Sequence, residues 1–222
     1  FFYVLGGGNK DYPGRASLGI TRLDTYVQKF AIGEKTGIDV DGEVGGNIPS
    51  PEWKAKVFPN DPTWRQGDTY NSSIGQFGFQ VTAVQIVRAV AALANGGTLV
   101  TPHMTLSPQP TLPKDRQIEG IDAQWYEVIR DAMRKTVTEG TAKIVNVPYV
   151  HAAIKTGTAQ VGPKNQYMNS WSTGFFPYEK PQYAFVIVME KARSTNETGA
   201  TYVMSKVFDW MHVNTPGYFE VK

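Results

Sequence analysis

The residues most able to do chemistry lie in the tetrapeptide Lys155-Thr156-Gly157-Thr158. Successive side chains of a strand point to opposite faces, so Thr156 and Thr158 are predicted to share one face while Lys155 points to the other. Gly157 carries no side chain, which allows an extended substrate to lie against the backbone as an added strand. Two hydroxyls and an ammonium beside that strand suit an acyl-transfer site that holds a carboxylate.

The triplet Lys-Thr-Gly occurs twice, and we assign the chemistry to the second copy. The first copy, at residues 35–37, follows a helix-like stretch at 23–30 and lies among glycines and aspartates, which predicts a solvated turn. The second copy follows apolar Ala152 and Ile154 and precedes a further apolar run at 183–189. Those surroundings predict a strand.

The composition excludes several classes of function. Lysine and arginine number 22 against 20 aspartates and glutamates, and no basic run occurs, so nucleic acid is not an expected partner. The absence of cysteine excludes disulfides and thiolate catalysis. The histidines His103, His151 and His212 lack metal-ligand spacing, so we expect no metal. We expect no other cofactor either, because an acyl-transfer site obtains its nucleophile from a neighbouring base. No stretch approaches the ~20 apolar residues of a membrane-spanning helix, and we expect the visible chain to be soluble.

The 222 residues suit one domain, whose elements follow from residue periodicity. Apolar residues at helical spacing predict helices at 82–94 and 122–137. Residues 38–70 read as a loop-rich insertion, and the proline-rich segment 102–113 is expected to run over the surface. The two helices are predicted to bury the stripes Ala83, Ile86, Val87, Val90 and Ala94, and Trp125, Val128, Ile129, Ala132 and Met133.

The C-terminal third predicts a compact antiparallel sheet. Apolar runs at 170–177 and 183–189 flank a Pro-Tyr-Glu-Lys-Pro turn, which is typical of a hairpin, and the strand holding Lys155 precedes them. A closing helix carries two apolar sets, Val203, Val207 and Trp210, and Met204, Phe208 and Met211. Helices before and after such a sheet indicate an α+β fold, an antiparallel sheet flanked by helices.

Several short segments of the chain occur in a characteristic order: Gly33–Asp39, Ser73–Gln76, Leu93–Gly97, Lys155–Gln160, Trp171 and Gly174–Pro177. With these segments, the chain resembles the transpeptidase domain of class B penicillin-binding proteins of the elongation-type penicillin-binding protein 2 group. The resemblance implies a fold similar to that of the serine β-lactamases and transpeptidases, and it makes residues 1–222 the C-terminal part of such a domain.

The resemblance implies D,D-transpeptidation, in which a serine attacks peptidoglycan stem peptides that end in D-Ala-D-Ala. It also implies that β-lactams acylate that serine. It makes Lys155 and Thr158 catalytic, Lys155 through its positive potential and Thr158 through a backbone N–H in the oxyanion hole. It makes Thr156, Gly157, Thr158 and Trp171 substrate-binding. It further implies a membrane glycosyltransferase partner and a membrane-anchored protein at the outer, periplasmic face of the cytoplasmic membrane.

The chain departs from the family pattern because it contains no Ser-x-x-Lys. A Ser-x-Asn occurs at 194–196, but it follows Lys155 instead of preceding it, and we interpret it as a surface turn. The opening run at 1–5 resembles the segment just after the family's second motif. We therefore expect the nucleophile upstream of Phe1 and this chain alone to be inactive. Ser73, the nearest rival, has no lysine one helical turn away and is interpreted as a loop residue.

Three alternatives stay open. A related serine β-lactamase or D,D-carboxypeptidase would share the Lys-Thr-Gly strand, and a non-catalytic domain that binds cell-wall peptides or partner proteins could retain the fold. An unrelated α+β protein could bear the triplet by chance. The aromatic residues Tyr167, Trp171 and Phe175 could likewise line the acyl-donor groove or belong to the core.

Overall fold

The computed structural model describes residues 1–9, 17–106, 114–196 and 198–220. Its contacts divide the chain into two compact units. The first comprises Phe1–Thr36 and Val40–Thr82, and the second comprises Gly37–Asp39 and Ala83–Lys222. Among the described helices, none is both long enough and apolar enough to cross a membrane.

The first unit is helical. Its helices are α1 (Phe2–Gly7), α2 (Gly19–Lys29), α3 (Pro51–Val57) and α4 (Gln66–Ser72). Helix α2 confirms the helix-like stretch at 23–30, whereas α3 and α4 lie within a region interpreted as loop-rich. The start signal of α3 is local: the Ser50 side chain accepts a hydrogen bond from the Trp53 N–H at 3.1 Å, and proline occupies the first helical turn.

The second unit combines helices with two small sheets. In chain order it contains α5 (Ala83–Ala94), β1 (Thr98–Leu99), β2 (Arg116–Gln117), α6 (Ala123–Thr138), a 3-10 turn (Lys143–Val145), β3 (Ala153–Val161), β4 (Tyr167–Phe176), β5 (Tyr183–Arg193), α7 (Ala200–Asn214) and a 3-10 turn (Pro216–Tyr218). Helices α5 and α6 confirm the two predicted helices. The pairing of β1 with β2 gave no signal in the sequence.

The larger sheet confirms the predicted hairpin and the strand before it. Its order is β3-β4-β5, with both pairs antiparallel, so β3 is an edge strand of the sheet as described. Ile154 of β3 packs with Phe176, Met204 and Phe208 in one core cluster. Ala153, the preceding residue, packs with α5 in a second cluster. The start of β3 is therefore buried on both faces, and this burial fixes the register of the residues that follow.

The predicted buried stripe of α6 is wrong at four of its five positions. Met133 is buried, but Trp125, Val128, Ile129 and Ala132 are exposed. The buried face instead carries Tyr126, Met133 and Val137, with the half-buried Arg130 and Arg134 between them. Arginine is accommodated on this face because its guanidinium donates hydrogen bonds to carbonyl groups of the adjoining chain.

The other helix predictions were right in part. In α7, Met204 and Phe208 are buried and Met211 is half-buried, whereas Val207 and Trp210 are exposed. In α5 the predicted stripe holds at Val90 and Ala94 but not at exposed Ala83, and Gln85 and Arg88 are buried instead. Of the segment predicted to run over the surface, residues 103–106 are exposed, and 107–113 lie outside the described residues.

Candidate functional site

The predicted chemistry lies on the edge strand β3. Lys155 and Thr158 are exposed, and Thr156 and Gly157 are half-buried. The strand runs without a bulge through these residues, where Lys155 pairs with Thr173, Thr156 with Ser172 and Gly157 with Trp171. Regular alternation therefore puts both threonines on one face and Lys155 on the other, as predicted. The second Lys-Thr-Gly copy thus lies on a solvent-accessible sheet edge.

Lys155 bends back along its own strand. Its Nζ donates a hydrogen bond to the carbonyl oxygen of Thr156. Although the residue as a whole is exposed, surrounding protein atoms partly desolvate the ammonium, and this desolvation lowers the pKa of Lys155. A lysine with a lowered pKa gives up its proton more readily, so this side chain can supply positive charge or exchange a proton at the strand edge.

Thr156 has a partner that the sequence analysis missed. Its Oγ1 lies 3.0 Å from Oγ1 of Thr141, in the turn between α6 and the first 3-10 turn. Thr141 is exposed. No motif points to a threonine 15 residues before its partner, and the only local signal is that it follows a glycine at a helix end.

Gly157 and Trp171 face each other across the sheet. In the described part of the chain, leaving out its two chain neighbours, only Trp171 comes within 4 Å of a Cβ atom built on Gly157, with the Trp171 Cβ at 3.4 Å. The half-buried Trp171 therefore lies on the face of Lys155 and leaves the outer edge of β3 at Gly157 open. Phe175 is fully buried in the core, so it does not line a groove, and Tyr167 is 39% exposed.

Two arginines of α6 hold the chain that flanks β3 and β4. Arg134 Nη1 donates to the carbonyl of Ala152 at 3.0 Å, immediately before β3. Arg130 Nη2 donates to the carbonyl of Tyr178 at 3.1 Å, after β4. The N–H of Tyr178 in turn donates to the His151 carbonyl at 2.7 Å. Helix α6 is thereby tied to the strand that carries Lys155.

The first Lys-Thr-Gly copy is irregular chain, not a strand, as predicted, but it is not solvated throughout. Thr36 is buried, and its N–H and its hydroxyl both donate to Oε1 of Glu43, at 2.6 and 2.5 Å. These bonds give it a structural role.

The two serine motifs lie in turns that follow regular elements, one after α4 and the other after β5. Residues 194–196 form an exposed turn, as predicted. Ser73 lies in the turn directly after α4, in line with its interpretation as a loop residue, and its hydroxyl donates to the Thr69 carbonyl at 2.6 Å.

The described residues contain no group of three or more histidine, aspartate or glutamate side chains that could hold a metal ion. The three histidines are exposed. His151 Nδ1 lies 2.5 Å from Glu179, and His212 stacks on Tyr149 with ring centroids 4.0 Å apart. These contacts give His151 and His212 a structural role.

Comparison with known proteins gives consistent matches. The family model for the penicillin binding protein transpeptidase domain matches residues 14–209. Peptidoglycan D,D-transpeptidase MrdA of Acinetobacter baumannii is 30% identical over 95% of this chain, which spans about a third (32%) of that relative. Penicillin-binding protein PBP2 of Helicobacter pylori, solved in complex with MreC, is 28% identical with a TM-score of 0.77, over 96% of this chain and 38% of that one.

A second solved structure agrees. PBP2 of Pseudomonas aeruginosa, in complex with WCK 5153, is 29% identical with a TM-score of 0.76, over 100% of this chain and 48% of that one. These matches confirm the resemblance and the fold that the sequence indicated, and they remove the alternative of a chance triplet in an unrelated α+β protein. The chain belongs to the family of penicillin-binding protein transpeptidase domains, with its relatives in the class B penicillin-binding protein 2 group.

Proposed function

We propose that the protein to which this chain belongs is a peptidoglycan D,D-transpeptidase that works through a serine acyl-enzyme. The observation that carries the proposal is the edge strand β3, on which Lys155, Thr156, Gly157 and Thr158 occupy consecutive, solvent-accessible positions in a chain of the transpeptidase family. An extended peptide can pair with such an edge through its main chain. Its terminal carboxylate then has hydroxyl donors beside it.

Each residue has a distinct role in the proposed reaction. The serine oxygen attacks the carbonyl of the penultimate D-Ala, the terminal D-Ala leaves with a proton, and an amine of a second stem peptide then takes the acyl group and frees the serine. The hydroxyls of Thr156 and Thr158 bind the terminal carboxylate, and the Thr158 N–H helps to stabilise the oxyanion. Lys155 supplies positive potential beside the serine, and its lowered pKa suits proton exchange.

Gly157 and Trp171 shape the place where the substrate lies. The missing side chain at Gly157 lets the peptide backbone approach β3. Trp171 provides an apolar surface next to it on the face of Lys155. Both residues would bind the acyl donor and take no part in proton transfer.

The nucleophile is proposed to come from sequence that precedes this chain. The 222 residues contain no Ser-x-x-Lys. We therefore propose that they form the C-terminal part of one transpeptidase domain, inactive alone. The cell envelope, at the outer face of the cytoplasmic membrane, is the proposed location, with β-lactams as inhibitors and a membrane glycosyltransferase as partner.

Labelling with a fluorescent penicillin tests the proposal. The full-length gene product should take up one acyl group, seen as a covalent adduct by intact mass, whereas this chain alone should take up none. Matched Lys155→Gln protein should be acylated at least about 100-fold more slowly, because a positive charge beside the reacting groups is lost. An adduct on the isolated chain would place the nucleophile within these residues, and an unreactive full-length protein would favour a binding domain.

The lifetime of the adduct separates the enzyme classes. A transpeptidase holds its penicilloyl group for far longer than the labelling time, since deacylation requires water to reach the ester. A serine β-lactamase releases it within one turnover. If free, reactive enzyme returns rapidly, the protein is a serine β-lactamase and not a transpeptidase.

A further inference from the structure

The hydroxyl pair of Thr141 and Thr156 joins two elements at the proposed carboxylate site. The two oxygens lie 3.0 Å apart, and geometry allows either one to be the donor. Thr156 belongs to β3, whereas Thr141 lies in the turn after α6. This turn therefore contributes a polar group directly beside the tetrapeptide.

The turn that carries Thr141 is anchored on both sides. The Gly140 N–H donates to the Lys135 carbonyl at 3.0 Å, and the Ala142 N–H donates to the Thr136 carbonyl at 3.0 Å. Gly140 lies so close to α6 that a Cβ atom there would meet the Thr136 Cα at 2.9 Å. Ala142 is fully buried. The backbone that carries Thr141 is thus held in place against α6.

The direction of the hydrogen bond follows from the number of protons. A threonine hydroxyl donates one hydrogen bond and accepts up to two. If Thr156 donated to Thr141, it would have no proton left for a carboxylate. Thr156 can bind an anion only if it accepts from Thr141, and accepting that bond also strengthens its own donation.

We propose that Thr141 is a positioning residue that donates to Thr156 and so directs the Thr156 proton toward the carboxylate of the acyl donor. The inference rests on the proposed function, because it needs an anionic substrate at β3. It goes beyond the tetrapeptide by giving a role to a residue of the turn after α6.

The variants Thr141→Val and Thr141→Ser test the proposal in the full-length protein. Valine keeps the shape of threonine and removes the hydroxyl, so the second-order rate of acylation by benzylpenicillin should fall about fivefold, the worth of one hydrogen bond. Serine keeps the hydroxyl and should restore the rate to within about twofold of the parent. Thermal midpoints of both variants should equal that of the parent, since Thr141 is exposed.

A double-mutant cycle with Thr156→Val separates positioning from a structural role. If Thr141 acts through Thr156, the double variant Thr141→Val/Thr156→Val should be acylated as fast as the single variant Thr156→Val. An equal loss in both backgrounds, or a Thr141→Val protein that acylates as fast as the parent, would overturn the inference. Thr141→Ala gives a second hydroxyl-free protein in case valine impairs folding. An unreactive parent would instead overturn the proposed function itself.

Discussion

Gly157 and Gly174 lie on neighbouring strands and have different reasons to lack a side chain. A Cβ atom at Gly174 would lie 2.2 Å from the Ala153 carbonyl oxygen and 3.1 Å from the Ile154 Cα, both backbone atoms. At Gly157 a Cβ atom would meet the Trp171 side chain at an ordinary contact distance, and no other described residue beyond its chain neighbours lies within 4 Å. Packing therefore requires glycine at 174, whereas at 157 the fold would accept a methyl group.

The variants Gly174→Ala and Gly157→Ala should separate stability from activity. Gly174→Ala should lower the free energy of unfolding by about 1–3 kcal/mol, because the sheet must open to admit the methyl group. Gly157→Ala should change it by about 0.5 kcal/mol or less. In the full-length protein it should nevertheless slow acylation at least about tenfold, since the methyl group holds the substrate backbone away from β3.

Thermal unfolding and acylation rates, measured on the same protein samples, check this pair of predictions. A Gly157→Ala protein that melts like the parent and reacts like the parent would show that no substrate lies close to this backbone. Equal melting of Gly174→Ala and the parent would contradict the packing argument.

At the scale of elements, α6 positions β3 through side-chain donors on its buried face. Arg134 reaches the fully buried Ala152 just before the strand, at 3.0 Å. The neighbouring Lys135 points to solvent and pairs with Asp131 at 3.0 Å, with both side chains more than half exposed. Of these two adjacent residues, Arg134 therefore bonds to the carbonyl of a buried residue, whereas Lys135 makes an ion pair that is exposed to solvent.

The variants Arg134→Met and Lys135→Met should differ in stability. Methionine at 134 keeps much of the apolar stem but leaves the Ala152 carbonyl without its charged donor, which should cost about 1.5–3 kcal/mol. Methionine at 135 removes an exposed ion pair and should cost about 0.5 kcal/mol. Chemical denaturation of both variants measures the difference. Equal losses would mean that the Arg134 contact does not secure β3.

At the scale of the whole molecule, one carboxyl of the first unit makes its stability depend on pH. Desolvation, and secondarily the charge of Glu52, raises the pKa of Asp24 to about 6. Among the residues that the structure describes, none is a hydrogen-bond partner of the buried Oδ1 of Asp24. The folded state therefore holds this proton more tightly than the unfolded chain, whose aspartates titrate near 3.8.

The sign of the pH dependence follows from proton linkage. Between about pH 4 and pH 6 the folded state binds more protons at Asp24 than the unfolded state does. The contribution of Asp24 to stability should therefore fall as pH rises through this window, and it should be fully lost above about pH 6. Asp24→Asn should remove this pH dependence of stability. Glu52→Gln should lower the pKa of Asp24 and so narrow the pH range over which stability falls. Melting temperatures across pH 4–7 check this, and an unchanged slope in Asp24→Asn would refute it.

The hairpin strands and the helices α5 and α6 were predictable because their signals are local, whereas α3, α4 and the β1–β2 pair were not predicted. Alternating side chains and a proline-bounded turn predicted the hairpin, and apolar periodicity predicted α5 and α6. The tetrapeptide at 155–158 was found because its chemistry lies on consecutive residues of one strand. The sequence segments shared with the family then indicated the fold that the comparisons confirm.

The sequence by itself determined α5, α6, the hairpin and the residues of the tetrapeptide, because short-range sterics and contiguous chemistry depend on neighbouring positions. Only the tertiary structure decided that α6 buries Tyr126 and leaves Trp125 exposed, and that Thr141 meets Thr156. Which face of a helix is covered depends on the elements packed beside it, and a contact across 15 residues exists only once the backbone has closed around it.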